Sequence, residues 1–305
     1  MKLYPLTVIE FQDAFPTDEA CFEYLWLIKW ENGFVCTECE HNEAWKIVAR
    51  KASRCKACQK QTSITAGTIF QSRHISLRLI FQAIWYVVSN KNGVSALGLQ
   101  SVLGLGSYRT AWSWLHKLRR AMVRPMRDKL AGVVEVDETL VGGSQSGKRG
   151  RGAEKKELVL IAVEDKGEEG LGRVRLKHIP DASAKTLKAA IKELVAAGSI
   201  IKTDGWKSYR GLEKDGYEHV ILNHSELEPG IDPTPKVHRV ASLLKRWLLG
   251  THQGGQQFSH LKYYLDEYTF RFNRRKSKSR GKLFYRLVQQ ALQVDHVSVS
   301  ALKTA

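Results

Sequence analysis

Apolar positions along this chain change period twice. Up to about residue 30, and again over residues 75–127, they recur every three or four positions, the spacing of helices with one buried face. FPTDEACFEYLWLIKW opens with Pro16-Thr17-Asp18, a helix start and cap, and follows a short lead-in. Glycine-containing interruptions near 90–93 and 104–106 break the second helical stretch. From residue 133 the texture becomes strand-like. VVEVDETLVGG, ELVLIAVED and LGRVRLKHIP are rich in β-branched residues and separated by glycine or charged turns. SAKTLKAAIKELVAAG predicts an amphipathic helix ending at Gly198, followed by two short strands, SIIKTDG and HVILNH. Residues 236–249, 258–272 and 282–293 then return to a helical period. No internal repeat is present. The pattern predicts an N-terminal module over 1–70, a helical module over 71–130, an α/β domain over 131–295 and a tail over 296–305.

Cysteine spacing sharpens the first module. Cys36-Thr-Glu-Cys39 and Cys55-Lys-Ala-Cys58 are two C-x2-C knuckles with 15 residues between them. Each tight turn supplies two thiolates, and two such turns close a tetrahedral structural Zn²⁺ site with no open position for catalysis. Cys21 falls in the apolar pattern of the first helix and reads as a core residue.

Charge changes the picture again. With 48 Lys and Arg against 31 Asp and Glu, the net charge is +17 and the pI about 9.7, which points to a polyanionic partner. Nucleic acid is favoured over a membrane surface, because no long basic amphipathic stretch stands apart from the folded-looking segments. The start, MKLYPLTVIEF, has no apolar signal core, and the most apolar run, Leu79 to Val88, is about half a membrane span. A cytoplasmic, nucleoid-associated protein is expected.

Residues 73–130 carry ten Lys/Arg and one acidic residue, Asp128. Within them, VSALGLQSVLGLGSYRTAWSWLHKLR reads as helix, glycine turn, helix, the layout of a helix-turn-helix. Ser107, Tyr108 and Arg109 open its second helix and can face a major groove, with Trp112, Leu115 and Leu118 packed inward. Lys148, Arg149 and Arg151 form a basic, glycine-rich loop, either phosphate-seeking or merely solvated. From Lys236 to Arg286 there are thirteen Lys/Arg against two acidic residues; Arg274 and Arg275 lie there in a basic linker or DNA-contacting loop.

Asp137 sits within an apolar strand, where an ionised carboxylate is costly unless paired or bound to a cation. Glu135 shares its strand face and Glu138 takes the other. Asp204 ends the strand SIIKTDG. Two strand-borne aspartates can share Mg²⁺, which prefers carboxylate oxygen. Trp206 and Tyr209 follow, as stacking platforms or as core residues.

Taken together, the C-x2-C pairs, VSALGLQSVLGLGSYRTAW, EVDETLVGG, KTDGWKSY, HRVASLLKRWLLGTHQG and HLKYYLDEYTFRFNRR resemble bacterial insertion-sequence DDE transposases with an N-terminal zinc ribbon, of the ISXO-like group. The resemblance runs from about residue 20 to 290. It implies a ribonuclease H-like α/β catalytic core, a mixed five-stranded sheet with flanking helices, behind the zinc ribbon and the helix-turn-helix module. It implies binding of terminal inverted repeats in double-stranded DNA, cleavage and strand transfer with Mg²⁺ or Mn²⁺, and a homo-oligomer on DNA. It also places His238 where the family has an acidic or amide ligand, and Lys245 at the basic position two helical turns later. Histidine there is a variant metal ligand, a proton shuttle or a sign of lost activity; Glu226, Glu228 and Glu267 are the candidate replacement carboxylates. The alternative is a non-catalytic DNA-binding regulator, or a decayed transposase acting as a repressor.

Overall fold

The structure, a computed structural model, describes residues 4–124, 127–142, 156–253 and 258–304. In chain order its elements are α1 (Val8–Ala14), α2 (Asp18–Lys29), β1 (Ala44–Ile47), β2 (Ala52–Cys55), β3 (Gln61–Ser63), α3 (Leu77–Ser89), α4 (Ala96–Leu103) and α5 (Tyr108–Ala121). They continue with β4 (Val133–Val141), β5 (Glu157–Asp165), β6 (Leu171–Ile179), α6 (Ala184–Leu194), β7 (Ile200–Thr203), β8 (Glu218–Ile221), α7 (Pro235–His252), α8 (Leu261–Asn273), α9 (Arg280–Ala291) and α10 (Val299–Thr304). Contacts divide the chain into two units, residues 1–125 with 277–305, and residues 126–276. No helix among the described residues is long and apolar enough to cross a membrane.

In the first unit, Ser and Thr hydroxyls cap the helices as their sequence positions suggest. Thr17, Ser76, Ser95, Ser107 and Ser279 each accept a first-turn N–H. The Asp18 carboxylate reaches across to accept the N–H groups of Leu77 and Arg78 at 3.1 and 2.9 Å, fixing α3 against α2. Aromatic rings fill the centre: Phe284 lies 5.3–6.0 Å from Phe11, Phe15, Tyr24, Phe81 and Trp85. Phe284 belongs to α9. The sequence reading put residues 282–293 with the α/β domain; this buried ring instead draws α9 into the first unit, alongside α2, α3 and α5. Cys21 is fully buried here, as expected, and burial pushes its thiol up to about 12.

The ribbon is the antiparallel sheet β1-β2-β3. Its two knuckles have the same backbone form, because the residue after each second cysteine, Glu40 and Gln59, is left-handed with φ 59° and 61°. The four Sγ atoms of Cys36, Cys39, Cys55 and Cys58 all lie within 4.8 Å of one another, with Cys36–Cys58 and Cys39–Cys55 at 3.6 Å. A tetrahedron with Zn–S bonds of about 2.3 Å has edges of about 3.8 Å, so the thiols stand where zinc would hold them. After the ribbon, Gly104 (φ 60°) ends α4 in the left-handed conformation, Leu105 is buried in the turn, and four residues separate the end of α4 from the start of α5.

The second unit is a mixed sheet in the order β6-β5-β4-β7-β8. The hairpin-linked β4, β5 and β6 are antiparallel, while β7 and β8 join β4 in parallel. Alternation gives the sheet two apolar faces. Val134, Val136, Leu160 and Ala162 pack on α6, whereas Val159, Ile161 and Val163 pack under α7 and α8. This is the expected ribonuclease H-like arrangement. One boundary differs. α6 stops at Leu194 rather than running to Gly198, because Val195 turns extended and forms an isolated parallel bridge with Leu130. Two short helices, α1 and α10, were not legible as helices in the sequence.

Purified protein is expected to contain one zinc per chain by atomic absorption, and Cys39→Ser or Cys55→Ser to lose it together with the fold of the ribbon. Full zinc occupancy in either variant would contradict the four-thiolate site.

Candidate active site

The site begins with strand register. β4 and β7 run parallel with Glu135 paired to Lys202. Two residues further on, Asp137 and Asp204 stand at the same level, just past the last paired residues, where the strands begin to part. Both carboxylates line one pocket of about 510 Å³ together with Gly205, Trp206, Asn223, Ser225, Pro233, Thr234 and His238. A Cβ at Gly205 would meet Asn223 Oδ1, so a side chain there would have to displace the Asn223 amide.

The third side of the pocket is the start of α7. Pro235 is its first residue, and Thr234 contributes no side-chain cap. Glu135 of β4 does so instead: its Oε2 accepts the N–H groups of Lys236 at 2.9 Å and Val237 at 3.2 Å. Glu135 is almost fully buried, and Lys236 and Lys202 both pair with Asp165 beside it, at 2.5 and 3.3 Å. The cap sits two residues from Asp137 on the same strand face, so it brings His238 over Asp137. His238 Nε2 is 3.1 Å from Asp137 Oδ2, and its Nδ1 is 2.6 Å from Asp232 Oδ2.

Charge in the pocket is only partly compensated, by His238. Burial, then the neighbouring Glu138 and Asp204 carboxylates, raise Asp137 to about 6, against the opposing pull of the Glu138 N–H at 2.7 Å and of His238. Burial lowers His238, but Asp232 and Asp137 outweigh it, and the imidazole is raised overall. Two carboxylates and a ring nitrogen lining one pocket are donor types suited to Mg²⁺ or Mn²⁺. Among the described residues only the four cysteines bring three or more ligand atoms within 4.8 Å of one another.

The other residues singled out in the sequence have varied positions. Tyr209 is fully buried, and its hydroxyl donates to Glu138 from the α6 side of the sheet, so it is a core residue and not a stacking platform. Trp206 is 36% exposed at the pocket rim, its backbone N–H donating to Asp204 Oδ1 at 3.0 Å. Lys245 is exposed on the same face of α7 as His238 but does not line the pocket. None of the candidate replacement carboxylates enters it either. Glu226 holds the Asn223 amide at 2.8 Å, Glu228 is exposed, and Glu267 is buried against Arg271 at 2.7 Å.

Tyr108 and Arg109 are exposed at the start of α5, while the Ser107 hydroxyl caps the helix. Lys148, Arg149 and Arg151 lie outside the described residues. Arg274 and Arg275 are structurally engaged. Arg274 lies over the Phe270 ring at 4.1 Å, and Arg275 lies over Phe272 at 4.2 Å and donates to the carbonyls of Leu171, Gly172 and Phe272. Asp232 and Thr234 carried no sequence signal, and Glu135 was marked only by sharing the strand face of Asp137, since its helix-capping role depends on residues about a hundred positions away.

A carboxyl raised from 3.8 to about 6 favours folding when protonated; that contribution is present below about pH 4 and lost as pH rises through about 6. In magnesium-free buffer at pH 7.5, Asp137→Asn is therefore expected to be more stable than the parent by on the order of 1–3 kcal/mol, read as a higher melting temperature. Added Mg²⁺ should narrow the gap by stabilising only the parent. A variant that melts no higher than the parent would contradict the charge crowding.

Two family models match parts of this chain. Residues 16–61 match the transposase zinc-ribbon domain and residues 129–273 match the ISXO2-like transposase domain. A protein of Halobacterium salinarum described as an uncharacterized protein in transposable element ISH50 is 26% identical over 266 residues, covering 79% of this chain and 86% of that protein. The crystal structure of the catalytic core domain of BIV integrase is 17% identical, with a TM-score of 0.31, over 45% of this chain and 81% of that one. Residues 16–61 are thus similar to a transposase zinc ribbon, and residues 129–273 to ISXO2-like transposase domains.

Proposed function

We propose that this chain is an insertion-sequence transposase, a polynucleotidyl transferase that binds the terminal inverted repeats of its element and carries out metal-dependent cleavage and strand transfer. The observation that carries the reading is the level placement of Asp137 and Asp204 on parallel strands, facing one pocket with His238. Asp137, Asp204 and the Nε2 atom of His238 would hold Mg²⁺ or Mn²⁺. Such ions activate an attacking hydroxyl and stabilise the leaving 3′ oxygen. Glu135 sets the distance between the strand and His238, and Glu138, held by Tyr209, backs Asp137 from the other face of the sheet. Lys245, further along the exposed face of α7, is suited to hold a phosphate of the bound DNA as a point charge.

End recognition is assigned to the ribbon and to the start of α5, where Tyr108 and Arg109 are exposed. Lys148, Arg149 and Arg151 are further candidate phosphate contacts. Arg274 and Arg275 are weaker ones, given their bonds to the protein's own carbonyls. Joining two element ends calls for a homo-oligomer on double-stranded DNA, and a chain acting on chromosomal DNA would work in the cytoplasm, at the nucleoid.

The test is strand transfer from pre-cleaved inverted-repeat ends into supercoiled target in Mg²⁺ or Mn²⁺. The parent is expected to yield product and Asp204→Ala to fall to background, with end binding unchanged in a gel-shift assay. End binding without product in either metal would leave a DNA-binding repressor as the function.

A further inference from the structure

Asp232 belongs to none of the motifs read from the sequence and does not line the pocket, yet it holds the ring of His238. We propose that Asp232 and His238 work as one unit, in which Asp232 is a positioning residue that fixes the imidazole tautomer and restores the negative charge a histidine lacks at the third ligand position. This inference rests on the metal site proposed above.

The geometry is specific. Asp232 Oδ2 accepts the His238 Nδ1–H at 2.6 Å, while its Oδ1 accepts the Thr234 N–H at 3.0 Å. Both carboxylate oxygens are thus engaged before any ligand arrives. Pro233 is buried and Pro235 is the first residue of α7, so the turn carrying the carboxylate is stiff on both sides of Thr234. With Nδ1–H committed to Asp232, the free lone pair of a neutral ring falls on Nε2, the nitrogen beside Asp137. A carboxylate behind a ligating histidine orients the ring and makes it more basic.

Charge gives the same result. Asp137 and Asp204 supply two negative charges, and a neutral imidazole supplies none. Counting Asp232 through its short hydrogen bond returns the total to three, the sum that a third carboxylate would give. The unit therefore matches a glutamate in net charge while presenting a nitrogen to the metal.

The experiment is Mn²⁺ binding to the zinc-loaded full-length chain, followed by electron paramagnetic resonance of free Mn²⁺. Asp232→Asn removes the charge and keeps one acceptor oxygen, for the ring or for the Thr234 N–H but not for both. It is compared in the parent and in a His238→Glu background, with Asp204→Ala as control and melting curves to verify folding. Asp232→Asn is expected to weaken Mn²⁺ about 10–100-fold in the parent and to change it little once His238 is glutamate. An unchanged affinity in the parent background, or an equal loss in both backgrounds, would overturn the proposal, the latter because Asp232 would then act through the Thr234 turn. Asp204→Ala separates the two levels. If it too leaves Mn²⁺ binding unchanged, the metal site itself fails and the proposal falls with it.

Discussion

The Glu135 carboxylate is the interaction on which the candidate site depends. A helix entering a sheet face leaves its first N–H groups without partners, and a buried start makes that costly. In α7 the usual capping position is Thr234, whose Oγ1 is buried with no hydrogen-bond partner. Glu135 supplies the acceptor from the neighbouring strand, so α7 begins at a point fixed by β4 itself. Because Glu135 and Asp137 share a strand face, the same contact that satisfies the helix sets the distance from His238 to Asp137. Burial raises the Glu135 carboxyl, against the two N–H groups that favour its charged form, and Lys236 bridges it to Asp165. The strand carrying the first carboxylate and the helix carrying the imidazole are therefore held as one piece.

The parts of this arrangement that were legible in the sequence are those encoded locally. Two C-x2-C turns announce a tetrahedral site because ligand spacing and backbone turn coincide. The β-branched runs announce β4, β5 and β6. Asp137 stood out because a charge in an apolar strand demands a partner. Strand pairing then did what no local pattern reveals, bringing Asp204 level with Asp137 across a parallel ladder. Asp232 lies outside every motif read in the sequence, and the role proposed for it exists only through His238. The helical period of residues 282–293 signalled a buried face but not its partner, which Phe284 finds among α1, α2 and α3. Tyr209 and Trp206, equivalent on the page as aromatic residues after Asp204, separate only through burial.

The positive charge of the chain is also less uniform than its sum suggests. In the ribbon, Lys46, Lys51, Lys56 and Lys60 each pair with a glutamate, Glu23, Glu19, Glu43 and Glu38. Such exposed pairs add little stability, but they dilute the positive field of the ribbon. Arg274 and Arg275 lean on aromatic rings and backbone carbonyls. Exposed cations instead follow His238 along one face of α7, at Arg239, Lys245 and Arg246. The excess charge next to the pocket is thus carried by the helix that Glu135 anchors, where a polyanion would pass the paired carboxylates.

The most direct measurement is a crystal soaked in Mn²⁺ and recorded near the manganese absorption edge, with the ribbon zinc as internal reference. A metal pocket completed by His238 predicts an anomalous peak within about 2.5 Å of Asp137 and Asp204 oxygens and of His238 Nε2. A clear zinc peak with nothing between β4, β7 and α7, or manganese on the two aspartates with the imidazole turned away, would contradict it.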